Sequence, residues 1–493
     1  MTNNAKSIKN QLKAVGRLPK FFALFGVGSL VLPIFSYGAT AATVRPSSVL
    51  SSGVQILNDA RNSRTIEVFN ISATTLVSKL GPNGAMHTST HYSALLYSRK
   101  SYLGVTATVG PAPTTTSNIP SSTEPSAGTG KTPIIGVLGV SGNYFSQERA
   151  AGIGAVTINV GWNEAEPSQG TFSSAYLSSL QKEIAAARSA GLSVVLDPGL
   201  QYPPNWVFSL PGGTRFVDQY GDVFTGREDS GNNVVNGVTD LAVRVAEGSY
   251  LTWLGSQIQP GEIVGIREGG GPLGELRYPS NDYDGHTNSF WAYDASTQAK
   301  SPVPGWTPGT GSAVQARAFL DAYNAALDSY GRWLNGELGA DFATKVLVLL
   351  PGWGERPGDV ANEVASLLTL NMPEFNEGLD WSHLLDSLPD ASNSVAYTTW
   401  LDAPTYGQTP QLEDPADYIA SLAARYHLRL GGENTGDGTI ANVTLCFDRA
   451  KELRFYVVQW MDESQLIHSG SGRDLSGPTL ARLGSTGAKL LGV

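Results

Sequence analysis

Cysteine is nearly missing from this sequence. Cys446 is the only one, so no intramolecular disulfide can form and stability has to come from the core. Its setting, Val443-Thr444-Leu445-Cys446-Phe447, is that of a small buried hydrophobe rather than a nucleophile. Charge is scarce too: Asp, Glu, Lys and Arg make up 15% of the residues and the net charge is −10. With no basic stripe beyond the extreme N-terminus, that balance excludes a nucleic-acid partner. The six histidines (His87, His91, His286, His383, His427, His468) are scattered, and the His87/His91 pair lacks the glutamate of a zinc-hydrolase helix. Neither a metal nor a cofactor is therefore expected. No Gly-x-Ser-x-Gly elbow supports serine-nucleophile chemistry, and no membrane span is expected in the mature chain.

What is plentiful is glycine (56), tyrosine (19) and tryptophan (10), a composition suited to a loop-rich protein that handles neutral polar ligands. Five basic residues (Lys6, Lys9, Lys13, Arg17, Lys20) precede the apolar run Phe21 to Phe35, and Ala39-Thr40-Ala41 supplies small residues for cleavage. Residues 1–41 are thus expected to be a signal peptide and the protein to be secreted. Residues 42–110 alternate short apolar and Ser/Thr-rich runs, as in Thr65-Ile66-Glu67-Val68-Phe69, which predicts a small β-rich module. Residues 111–131 form a Pro/Thr/Ser-rich tract that cannot bury a core and reads as a linker.

From residue 132 to 493 short β-branched runs alternate with longer helical stretches. Eight candidate strands are found: Ile134 to Val140, Ala155 to Gly161, Ser193 to Asp197, Ile263 to Glu268, Lys345 to Leu350, Val395 to Trp400, Leu428 to Gly432 and Phe455 to Trp460. Helical periodicity is clearest in Ala175 to Ala190 and Ala316 to Leu338, between strands, as crossover helices must be. The fold expected is α/β, a (β/α)8 TIM barrel preceded by the β-rich module. Polar and aromatic residues crowd the strand ends, where a barrel gathers its ligand-binding groups.

Two glutamates stand out. Glu275 lies in Gly271-Pro272-Leu273-Gly274-Glu275-Leu276-Arg277-Tyr278-Pro279-Ser280, and Glu433 in Gly431-Gly432-Glu433-Asn434, after the fourth and seventh candidate strands. One protonated and one ionised carboxyl are the minimum for hydrolysing a glycosidic bond. The first string closely resembles the loop carrying the general acid in the β-amylases, glycoside hydrolase family 14. Gly432-Glu433-Asn434 resembles the stretch carrying their general base. The resemblance implies Glu275 as acid, Glu433 as base activating water, and an inverting mechanism. More weakly, Trp162-Asn163-Glu164-Ala165-Glu166-Pro167 and Pro203-Pro204-Asn205-Trp206 resemble strand-end motifs of family 42 β-galactosidases. The third and sixth strand ends depart from the β-amylase pattern: Leu196-Asp197-Pro198-Gly199-Leu200-Gln201 replaces a longer loop with a His-Gln-Cys run, and Tyr397 to Asp402 occupies the sixth.

A carbohydrate is the expected partner. The residues expected to hold it are Trp162, Glu164, Asp197, Trp206, Arg267, Glu268, Arg277, Trp353, Trp400, Asp402, Asn434 and Trp460. Aromatic faces would cover the C–H faces of sugar rings. Glu268 is a rival proton donor, with which the enzyme would be a retaining, β-galactosidase-like glycosidase or a transglycosidase. A non-catalytic carbohydrate-binding barrel is the remaining alternative.

Overall fold

A computed structural model describes the backbone of five strands between residues 44 and 109, and residues 133–227, 231–404, 414–436, 439–467 and 478–491. The expected signal peptide and linker lie outside the described residues. Residues 1–121 and 122–493 form separate units.

In the first unit, β1 (Val44–Val49), β2 (Gln55–Asp59), β3 (Arg64–Phe69), β4 (Thr90–Ser98) and β5 (Ser101–Val109) pair in chain order as an antiparallel sheet. Consecutive antiparallel strands need only short connections, which is why a segment this small can form a sheet.

The second unit is a (β/α)8 barrel. Its strands are β6 (Ile134–Val137), β7 (Ala155–Asn159), β8 (Ser193–Asp197), β9 (Gly265–Glu268), β10 (Lys345–Leu350), β11 (Ser394–Thr398), β12 (Arg429–Glu433) and β13 (Val457–Trp460). All pair in parallel, and β13 closes the ring on β6. Each strand is short and nearly all buried, because helices cover its outer side and neighbouring strands its inner side. Several strands are shorter than their apolar runs. β6 stops at Val137 because Gly139 turns the chain at a φ of 63°.

Side-chain alternation sorts each strand into two faces. Val195, Leu347, Leu349, Val395, Tyr397 and Val457 form a small cluster inside the ring, while a much larger one fills the space between strands and helices. Two inward positions must be glycine for these side chains to fit. A Cβ on Gly265 would lie 2.8 Å from Leu347 Cδ1, and one on Gly431 2.7 Å from Tyr397 Cδ2. Without side chains there, Leu347 and Tyr397 can cross the barrel interior, and burial of each large side chain contributes about 1.5–3 kcal/mol.

The helices start where a side chain can satisfy their free N–H groups. Ser173, Asp240, Ser312, Asp414 and Thr439 each accept from the first turn of the helix that follows, and Ser312 does so in a reciprocal box with Gln315. Replacing any of these caps by alanine costs about 1 kcal/mol. Cys446 is a buried free thiol on the helix Ile440–Glu452. Among the described residues no helix is long and apolar enough to cross a membrane.

Candidate active site

Several inward positions nearest the C-terminal ends of the strands are polar, although the last inward residue of β10 is Leu349. On β9 alternation turns Arg267 into the ring and Glu268 out of it. Arg267 donates through Nη1 to Glu433 Oε2 at 2.6 Å and through Nη2 to Glu433 Oε1 at 3.2 Å, a two-pronged pair between the fourth and seventh strands. Its Nε lies 3.8 Å from Asp197 Oδ2 at the end of the third. Burial works against the guanidinium charge, but Glu433, Tyr397 and Asp197 outweigh it and keep Arg267 firmly protonated.

Glu433 has a third donor in the Tyr397 hydroxyl, 2.8 Å from Oε2. The same hydroxyl lies 3.0 Å from Gln459 Oε1, and Gln459 Nε2 donates to Thr157 Oγ1 at 2.6 Å. A belt of polar side chains therefore runs across strands two, four, six, seven and eight. A carboxylate offers about four acceptor sites. Among the described residues three are filled on Glu433, which leaves one on Oε1 for a water.

Glu275 reaches the mouth by a different route. After β9 the chain passes through Gly269, Gly270 and Gly271, and a Cβ at Gly269 would meet Gly274 O at 1.7 Å. Gly270 and Gly274 take positive φ of 93° and 75°, so the loop folds back tightly on itself. The buried Glu275 accepts from Arg277 Nε at 2.9 Å and from Thr399 Oγ1 at 2.6 Å. Arg277 is braced in turn by Glu377, 3.6 Å away. Burial raises the Glu275 carboxyl above its ordinary value; Arg277 and Thr399 pull it down only in part, and the charge of Glu433 pushes it up again. Asp197 is raised as well, by burial first, against the opposing pull of Arg267 and donors from Gly199 and Gln201.

The other expected site residues divide. Trp353 and Trp400, half-buried after the fifth and sixth strands, meet edge to face with centroids 4.9 Å apart. Trp206 is half-buried, its indole fixed by a bond from Nε1 to Glu166 O at 3.1 Å. Asn434 exchanges two hydrogen bonds with the backbone of Met461, and Asp402 accepts from Thr435 N and Asn442 Nδ2. Both lace neighbouring loops together rather than reaching into the mouth.

Four residues stand apart from the mouth. Glu268 faces the helix Ala313–Phe342, where Asn335 Nδ2 donates to it at 2.7 Å, and burial raises its carboxyl to about 8. Trp162 is wholly buried, stacked on Tyr250 at 5.1 Å, and Trp460 is buried as well. Neither has a face free for a sugar, because large apolar rings at these strand ends pack under the helices. Glu164 is exposed on the short helix Trp162–Ala165 and, among the described residues, joins none of these hydrogen bonds. Tyr397, Thr399, Gln459, Thr157 and Gln201 were not singled out from the sequence. Counting by two along β11 from Val395 would have found Tyr397 and Thr399, and from Val457 Gln459.

No protein-family model matches the chain, and no curated protein sequence matches it either. Solved structures do. The catalytic domain of β-amylase from Paenibacillus polymyxa is similar with a TM-score of 0.53 and 17% identity, over 73% of this chain and 100% of that one. A β-galactosidase from the psychrophilic Marinomonas ef1 gives a TM-score of 0.48 at 13% identity, over 73% of this chain and 59% of that one. A polyextremophilic β-galactosidase from the Antarctic haloarchaeon Halorubrum lacusprofundi gives 0.47 at 14%, over 73% and 57%. At 17% identity the likeness to the first of these establishes the barrel fold alone.

Proposed function

We propose that this protein is a secreted glycoside hydrolase of the inverting, β-amylase-like kind, with Glu275 as general acid and Glu433 as general base. The observation that carries this reading is the contrast between two buried carboxyls on different sides of one barrel ring. Glu433 receives donors from a buried guanidinium and a phenol, which fix its carboxyl in the ring. Glu275 is raised chiefly by burial, the direction that suits a proton donor. The Thr399 hydroxyl can donate to Glu275 when ionised or accept from it when protonated, so one contact serves both states.

In this mechanism Glu275 passes its proton to the glycosidic oxygen as the bond to the anomeric carbon breaks. Glu433 takes a proton from the water on its free Oε1 site as that water attacks the opposite face. Arg267 stays charged throughout and holds the plane of Glu433. Trp353 and Trp400 are the proposed sugar-facing aromatics, and residues 1–41 are proposed to direct export. The outward orientation of Glu268 speaks against the retaining alternative in which it is the proton donor.

The Trp353/Trp400 pair would serve a non-catalytic carbohydrate-binding barrel equally well, which is the second reading. Reducing-sugar release across a panel of α- and β-linked polysaccharides, with Glu433→Gln as matched control, separates the two. Hydrolysis that the control loses supports the enzyme, and the product anomer then tests inversion. Glycan binding without hydrolysis by either protein moves the assignment to the binding barrel.

A further inference from the structure

We infer that Asp328, Asp380 and His383 bind one divalent transition-metal ion of the zinc class, tying the long helix Ala313–Phe342 to the start of the helix Trp381–Asp386. One potential ligand atom from each residue lies within 4.8 Å of the other two. Ligands around a tetrahedral zinc stand about 3.3 Å apart, since Zn–O and Zn–N bonds are about 2.0–2.2 Å. Side-chain rotation of an ångström or so closes the site. Two carboxylate oxygens and an imidazole nitrogen favour zinc-class ions over calcium, which takes oxygen ligands almost alone.

Within the grouping Asp380 and His383 are paired with each other, and Asp328 stands outside that pair. The Asp328 side chain is buried, and among the described residues no hydrogen bond reaches it. Arg332 and His383 act on it only through space, and Asp380 and Glu355 add negative charge nearby. A cation bound here would supply the partner that the Asp328 carboxyl lacks. Asp380 caps the second helix by accepting from His383 N, and its other oxygen meets His383 Nδ1 in a very close contact. The imidazole is largely exposed, and Asp328 keeps enough residue surface for entry from solvent. The sequence hid this grouping because Asp328 is far along the chain from the other two and no ligand spacing links them.

The test is calorimetric titration of the untagged full-length protein, stripped with EDTA, with zinc chloride. One saturable equivalent is expected, accompanied by a rise in melting temperature that EDTA reverses. Asp328→Asn should weaken binding at least tenfold, and so should His383→Gln, an exposed change that leaves the fold intact if the first variant does not fold. Asp222→Asn is the control, because Asp222 and His286 form a similar exposed pair, 2.6 Å apart, outside any such three-residue grouping. Its affinity should not change. Absence of a single equivalent, binding unchanged in both Asp328→Asn and His383→Gln, or loss in Asp222→Asn would overturn the assignment.

Discussion

Arg267→Met removes the only cation in contact with Glu433 among the described residues while keeping much of the volume. In the wild-type protein the guanidinium makes contacts of 2.6 and 3.2 Å to Glu433, and Asp197 lies 3.8 Å away; all three side chains are at most about one-tenth exposed. Breaking a pair this deeply buried leaves a carboxylate without its partner, a loss of about 3–5 kcal/mol. An exposed pair would give about 0–1 kcal/mol. Urea unfolding of the purified protein at pH 7 distinguishes these ranges. The double variant Arg267→Met/Glu433→Gln is the informative companion, because a neutral amide no longer needs the cation and should recover part of the loss. The sign of the pH dependence follows as well. Burial already raises Asp197 and Arg267 opposes that rise, so in the variant Asp197 should be raised further, and the stability it contributes, complete below its unfolded value, is lost as pH increases. A loss under about 1 kcal/mol, or a double variant no better than the single one, would refute the buried-network argument whatever the protein's activity.

Other perturbations test the remaining contacts. Glu275→Gln and Glu433→Gln should each lower hydrolysis by about 10²–10⁴-fold, measured as reducing-sugar release, and Glu433→Gln should also lower the melting temperature because it leaves Arg267 without its carboxylate. Thr399→Val removes a donor that holds the Glu275 carboxyl down, so the alkaline limb of the pH–rate profile should move to higher pH; movement the other way would contradict the assignment of Glu275 as acid. Burial raises Glu268 from 4.5 to about 8, so its contribution to stability is complete below its unfolded value and is lost as pH rises through about 8. Glu268→Gln should therefore gain stability relative to wild type between pH 5 and pH 9, in paired denaturant melts. Trp353→Ala and Trp400→Ala should raise KM with modest effects on stability, whereas Trp162→Ala should cost about 3–5 kcal/mol in unfolding free energy.

The barrel was legible because every strand is a short apolar run set between helical stretches, a pattern that survives inspection without any partner in view. Ser193–Asp197 and Lys345–Leu350 have the same ends in sequence and structure, while β6 is cut short by the turn at Gly139. The glutamate loop was legible for a related reason: its glycines and proline are needed locally to fold it back. What sequence concealed was direction. Arg267 and Glu268 are neighbours, yet one enters the ring and the other meets Asn335 outside it. Residue type favours neither, and only the alternation set by strand pairing decides. Tryptophans carried the same ambiguity, since a ring suited to a sugar is equally suited to packing beneath a helix, as Trp162 and Trp460 do.

The reach of the polar belt along the chain bears on how the barrel assembles. Arg267 and Glu433 are 166 residues apart, and Gln459 and Thr157 are 302. A nascent chain that has formed only its first four strands holds the arginine without the glutamate that neutralises it. Such half-barrels are penalised until the last strands arrive, so completion of the ring and satisfaction of its charges become one late cooperative event. Split halves should consequently show little independent structure, and the residues suited to chemistry double as the check that the ring is complete.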